Sequence, residues 1–221
     1  MLAGVLASVA CGVIGTFVVV KRIAFISGGI AHAVLGGMGI AYYFNADPLI
    51  GAVPAALIFA VIIGFVSLHA REHEDTLIGA LWAVGMALGI IFMLQTPGYA
   101  KDLRSFLFGN ILLVSRADVW IILLLDLLIL SAIVLFYKGF MAVCFDEEFA
   151  RLQGMRVRTL YIALLCLISL TVVILVQIVG VIMVIALLTL PAAVASQWAH
   201  AMRRMMIASV LLVLAVVTVG M

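Results

Sequence analysis

Apolar residues recur along this chain in blocks of membrane-crossing length, and polar residues are confined to the gaps between them. The blocks fall at 2–20, 28–44, 49–68, 77–94, 118–137, 160–177, 179–199 and 205–221. A hydrocarbon core of roughly 30 Å takes about 20 apolar residues per helical crossing, so each block predicts one transmembrane helix. Lipid offers no partner to unpaired backbone groups, which excludes an open sheet. The chain therefore reads as an all-α integral membrane protein, a multi-span bundle of about seven or eight helices. The run 160–199 is too long for one crossing, and a tight turn is expected near Gly180.

Composition narrows the function. Of the 221 residues, 68% are hydrophobic and 10% charged, and the mean hydropathy is +1.42; an ordinary soluble domain carries roughly 25% charged residues. A soluble globular enzyme is excluded, and residues 1–221 read as a single transmembrane domain. No stretch carries the G-x-x-x-x-G-K-[ST] loop that cradles phosphates, so the chain alone is not an ATPase and any ATP is handled by another polypeptide. No bound cofactor and no nucleic-acid partner are expected. Cys11, Cys144 and Cys166 are scattered, without the spacing of a metal site or a disulfide framework. Lys21 and Arg22 follow the first apolar block instead of preceding it, so that block reads as a retained span and not a signal peptide.

The net charge of +2 matters less than its distribution. With the 138–159 loop in the cytoplasm, Lys21, Arg22, Arg71, Lys138, Arg151, Arg156, Arg158, Arg203 and Arg204 are cytoplasmic, against Lys101, Arg104 and Arg116 outside. That distribution satisfies the positive-inside rule and sets the N-terminus outside. Segment 95–117 is then external, and its apolar stretch from Phe106 to Leu113 is too short to span, so a partly buried or re-entrant helix is expected there. The second and fourth blocks are dense in small residues, among them Gly36, Gly39, Gly85 and Gly89. Such residues let backbones approach closely, which predicts both helices inside the bundle.

Few residues could carry chemistry. His32 is an imidazole embedded in a span, and an ionisable group in a bilayer is a functional candidate. It could ligate a divalent metal, with its partners on other helices, or hydrogen-bond a neighbouring helix. Asp126 sits in the fifth block as an oxygen ligand, a proton carrier or the partner of a polar group such as Gln177. His69-Ala70-Arg71-Glu72-His73 fits the H-x-x-E-H pattern of some metalloproteases, but a short polar connection supplies neither a third ligand nor a cleft. From Asp146 to Arg156 an acidic first turn and Gly154 as a stop predict a short helix, with Phe149 and Leu152 as anchors for another protein's groove.

This segment, with Val18-Val19-Val20-Lys21-Arg22-Ile23-Ala24-Phe25, Ala31-His32-Ala33, Asp75-Thr76-Leu77-Ile78-Gly79, Leu107-Phe108-Gly109-Asn110-Ile111-Leu112, Val179-Gly180-Val181 and Leu190-Pro191-Ala192-Ala193, resembles the integral-membrane subunit of the ABC-3 family of metal importers. The resemblance implies a homodimeric permease in a bacterial-type inner membrane, two cytoplasmic ATPase subunits and an extracytoplasmic metal-binding protein. The cargo would be a divalent transition metal, Zn²⁺ or Mn²⁺. The coupling element would be Asp146, Glu147, Glu148, Phe149, Ala150, Arg151 and Gly154, with Ala150 and Gly154 seated on the ATPase. His32 and, more weakly, Asp126 would be metal-site residues. The family often has a carboxylate one turn before the histidine, where this chain has Gly28, and usually extends further at the C-terminus. A proton-coupled secondary transporter using Asp126 and His32, and a metalloenzyme built on His69, Glu72 and His73, are the competing expectations.

Overall fold

The computed structural model describes residues 2–69, 74–96, 109, 115–199 and 201–219. Among them are nine helices: α1 (Leu2–Lys21), α2 (Ala24–Tyr43), α3 (Pro48–His69), α4 (Glu74–Leu94), α5 (Arg116–Phe145), α6 (Glu147–Leu152), α7 (Val157–Val179), α8 (Val181–Trp198) and α9 (Met202–Val219). All but α6 are long and apolar enough to cross a membrane, eight in number among the described residues.

Local chemistry fixes the ends. At the α1–α2 turn Arg22 is left-handed (φ 62), and the amide of Ile23 donates to the Val18 carbonyl at 3.0 Å. Asn45 repeats this after α2 (φ 56), with the Ala46 amide on the Ala41 carbonyl at 2.9 Å. These bonds satisfy the last carbonyls of each helix in the manner of a Schellman cap. Pro48 then opens α3, a position that needs no amide hydrogen. A capping box starts α5: the Ser115 hydroxyl accepts from the Asp118 amide at 3.1 Å, and the Asp118 carboxylate accepts from the Ser115 amide at 2.8 Å. The predicted turn at Gly180 separates α7 from α8, with φ 79 and ψ 161, which a residue with a Cβ adopts only under strain.

The core is organised around α7, whose residues from Leu164 to Val176 are almost all buried. It packs on α1, α2, α3, α5 and α8. The N-terminal end of α1 through Phe17 and Val18, the middle of α2, and Ile122, Ile129 and Phe140 of α5 complete one continuous apolar core. Outward-facing residues such as Trp120, Leu124, Leu127 and Val134 are apolar and exposed, as a lipid-facing surface requires.

Three expectations need correction. The second helix begins at Ala24 and not at 28, because Ala24-Phe25-Ile26-Ser27 continues the helix, with Ile26 and Ser27 buried. The fifth helix does not stop at 137; it bends at Phe136 (φ −104, ψ 17) and continues to Phe145. The first third of the predicted 138–159 loop is therefore helix, since Lys138 is charged but nothing from Gly139 to Phe145 breaks a helix. Finally, α4 is peripheral within this chain. Its buried residues are Ile78, Gly85, Gly89 and Met93, one stripe that faces α2.

That stripe does confirm the close approach. A Cβ on Gly36 would stand 3.0 Å from the Gly85 carbonyl oxygen, and one on Gly39 2.5 Å from that of Gly89. Backbones in contact gain dispersion energy that larger residues would prevent.

Candidate functional site

Helix alternation brings the C-terminal ends of α1, α3, α5 and α8 and the N-terminal ends of α2, α4, α7 and α9 to one face of the bundle, where α6 also lies. Eight described cations gather there, Lys21, Arg22, Lys138, Arg151, Arg156, Arg158, Arg203 and Arg204, while Arg116 begins α5 at the opposite face. Arg71, Lys101 and Arg104, which also entered the orientation argument, lie outside the described residues.

The six-residue α6 forms where the sequence predicts it. Asp146 caps it, its carboxylate accepting from the Phe149 amide at 2.9 Å, and Glu147 and Glu148 occupy the first turn, where the helix dipole favours negative charge. Gly154 ends it in the left-handed conformation (φ 76), with the Met155 amide donating to the Ala150 carbonyl at 3.1 Å. The side chains divide by face. Phe149 and Leu152 are 53% and 87% exposed, whereas Ala150 is 0% exposed. Ala150 thus packs on this chain's own core. Its small size lets α6 lie flat against the bundle.

Glu147 is also turned inward. The Lys21 ammonium donates to its carboxylate at 2.6 Å and to the Val143 carbonyl at 2.8 Å, and lies 5.8 Å from the Tyr161 ring centroid. The Tyr161 and Ser67 hydroxyls share a hydrogen bond of 3.0 Å. This chain of contacts ties α6 to α1, α7 and α3, and sequence reasoning missed it because Lys21 and Glu147 are 126 positions apart. Beside it opens a cavity of about 310 Å³, lined by Lys21, Ser67, Glu74, Asp75, Glu147 and Tyr161 among others. Three of the sequence fragments, Val18–Phe25, Asp75–Gly79 and the segment from Asp146, contribute to its lining.

Within the bundle, His32 is half-buried and stacked on Trp82 of α4, with ring centroids 4.1 Å apart and planes 10° apart. Its Nδ1 is buried without a hydrogen-bond partner. Gly28, one turn earlier, faces Ile185 of α8: a Cβ there would stand 2.6 Å from Ile185 Cδ1. An apolar side chain therefore fills the space that a carboxylate at this position would need. Among the described residues no group of three or more His, Cys, Asp or Glu is placed to hold a metal ion.

Asp126 on α5 is 3% exposed, and neither of its carboxylate oxygens nor Oε1 of Gln177 has a hydrogen-bond partner. The pairing with Gln177 considered from sequence is not made. Nor does the structure bring Asp126 and His32 together: α2 and α5 are not packing neighbours but each packs on α7. His32 is about 12 Å along α2 from the face that carries α6, and Asp126 about 15 Å along α5 from the opposite face. His69 ends α3 with its ring stacked on Phe65 at 4.3 Å and Nδ1 donating to the Phe65 carbonyl at 2.8 Å; Glu72 and His73 lie outside the described residues.

On the face opposite α6, Gly109 (φ 70) abuts the α7–α8 break, where a Cβ would stand 2.5 Å from the Gly180 amide nitrogen. Two of the sequence fragments, Leu107–Leu112 and Val179–Val181, thus meet at their glycines. The rest of the expected re-entrant stretch lies outside the described residues.

The described residues thus form an all-helical multi-span bundle of the membrane-protein class, with a short capped helix at one face. The chain belongs to the ABC 3 transport family, whose model matches residues 1–221. It is 43% identical over 217 residues to a protein of Chlamydia pneumoniae described as a "probable metal transport system membrane protein", covering 96% of this chain and 74% of that one. To the manganese transport system membrane protein MntC of Halalkalibacterium halodurans it is 40% identical, covering 87% of this chain and 66% of MntC. The solved structure of PsaBC from Streptococcus pneumoniae in complex with Fab superposes with a TM-score of 0.86 at 31% identity, over 97% of this chain and 77% of that one. As a permease subunit the chain is not itself an enzyme.

Proposed function

We propose that this chain forms the translocation pathway of an ATP-driven importer of a divalent transition metal, Mn²⁺ or Zn²⁺, with ATP hydrolysed by a separate cytoplasmic subunit. Manganese is supported by the name of the MntC relative. The observation that carries the coupling half of the reading is α6: a capped helix, pinned by Glu147 to Lys21, that turns Phe149 and Leu152 outward. A helix seated in a groove of the ATPase would transmit closure of that subunit to the bundle. The orientation puts α6 and the cations in the cytoplasm of a bacterial-type inner membrane and the N-terminus outside, in keeping with the positive-inside rule. Two copies of the chain, two ATPases and an external metal-binding protein complete the assembly.

His32 is the proposed ligand on the path, because a half-buried imidazole with an unpartnered Nδ1 is free to bind a cation in passing. Glycine in place of a carboxylate at position 28, one turn before it, favours transient, weak coordination over storage. The test is in two parts. The tagged chain, extracted in mild detergent, should bring an ATPase subunit with it in near-equal amount, and its deletion should abolish Mn²⁺- or Zn²⁺-dependent uptake. Reproducible absence of the ATPase with a folded chain, or uptake that follows a proton gradient, would reject the reading in favour of a secondary transporter.

A further inference from the structure

Between α5, α7 and α9, on the outside of the bundle, lies an open groove of about 600 Å³. Its origin is the bend of α5. The backbone leaves helical geometry at Phe136, and below the bend Gly139 lets Leu160 of α7 come close, so that a Cβ there would stand 3.0 Å from Leu160 Cδ1. Lys138, Arg156 and Arg203 stand on the rim, and among the described residues no carboxylate lines the groove. All three cations are exposed, and none is in a salt bridge among the described residues. Arg203 is held in place by the Tyr137 ring, its guanidinium carbon 5.5 Å from the centroid. Towards the membrane centre the groove continues into Val134 and Leu135, which are 77% and 75% exposed.

We propose that this groove binds an anionic phospholipid, its phosphate held by Lys138, Arg156 and Arg203 and its acyl chains lying along Val134, Leu135 and Phe136. The occupant follows from the pattern: three unpaired cations at the end of an apolar track that opens to the hydrocarbon match an amphiphile with one negative head. A free anion would have no use for the track. The lipid belongs to the leaflet on the α6 side, and the site does not depend on which metal is carried. Because α5 leads directly into α6, a lipid seated at the bend also fixes the approach of the coupling segment.

Each cation near a membrane surface contributes about a fivefold gain for an anionic lipid, so neutralising three should weaken binding roughly 100-fold. The test is native mass spectrometry of the full chain, purified in a non-ionic detergent and titrated with phosphatidylglycerol, phosphatidylcholine or inorganic phosphate. Phosphatidylglycerol should bind at least about tenfold more tightly than phosphatidylcholine, and inorganic phosphate should not compete at equal concentration. The variant Lys138→Gln, Arg156→Gln, Arg203→Gln should lose that preference, and Arg156→Lys, Arg203→Lys should keep it. Equal binding of the two lipids, undiminished binding by the triple variant, or competition by inorganic phosphate would overturn the proposal. So would a disulfide between copies through Val134→Cys in native membranes, which would make the groove an interface between protomers.

Discussion

The link from Lys21 to Glu147 is the contact whose removal should reveal most about how α6 is held. The two side chains are 17% and 15% exposed, well removed from the screening that makes surface ion pairs worth little. Lys21→Met removes three interactions at once: the ion pair, the hydrogen bond to the Val143 carbonyl and the contact with the Tyr161 ring. A hydrogen bond to a charged group contributes about 1.5–3 kcal/mol and a partly exposed cation–π contact about 0.5–1 kcal/mol. Allowing for non-additivity, Lys21→Met should destabilise the chain by about 2–4 kcal/mol. Glu147→Gln keeps an acceptor oxygen near Lys21 and should cost about 1 kcal/mol. In the double variant the loss should fall short of the sum by about 1 kcal/mol, the coupling expected of groups in direct contact. The assay is unfolding in mixed micelles by titration with sodium dodecyl sulfate, together with retention of the ATPase on the tagged chain. Single variants should retain less ATPase even under conditions where they remain folded. Additive losses within about 0.3 kcal/mol would show that the two groups do not act as a pair, and unchanged ATPase retention would show that pinning α6 does not matter for docking.

Other outcomes follow from the same geometry. Gly85→Leu should cost about 3 kcal/mol or more and reduce folded yield in detergent, since even a Cβ there would stand 2.9 Å from the Ala33 carbonyl oxygen. Gly79→Ala meets open space and should be neutral or stabilise by up to about 1 kcal/mol in the same unfolding assay. Leu152→Glu and Phe149→Glu should abolish ATPase co-purification with normal folded yield. Ala150→Asp should instead lower the yield itself, because it drives a carboxylate into the core. His32→Ala should reduce metal-dependent uptake while the chain still assembles with its ATPase; normal uptake would remove His32 from the path.

Much of the bundle was legible because lipid leaves a chain so few options. Apolar blocks of crossing length gave all eight spans, and Gly180 and Gly154 marked their turns because only glycine takes those backbone angles without strain. What escaped the sequence was direction. Periodicity carries little information when a helix is apolar on every side, so nothing distinguished α4, which touches mainly α2, from α7, which is surrounded. Ala150 pointed inward for a similar reason: on a six-residue helix an alanine suits either face. Lys138 suggested the end of a span, yet a cation can remain in a helix and reach water from its tip. The contacts that position α6 join residues from opposite halves of the chain, and no local pattern announces them. At the candidate site, His32 and Asp126 were visible as charges in the wrong solvent, but their separation across α7 required coordinates.

The placement of α7 has a mechanical consequence. Its first turn follows α6 after the short connection through Gly154, Met155 and Arg156, and its last turn ends at the break where Gly109 rests. A 23-residue helix is a rod about 35 Å long, stiff because its bonds are internal and its sides are gripped by five neighbours. Pushed axially at the end beside α6, such a rod has almost no length to absorb the stroke. The displacement arrives at the far face, where the backbones of Gly109 and Gly180 meet directly.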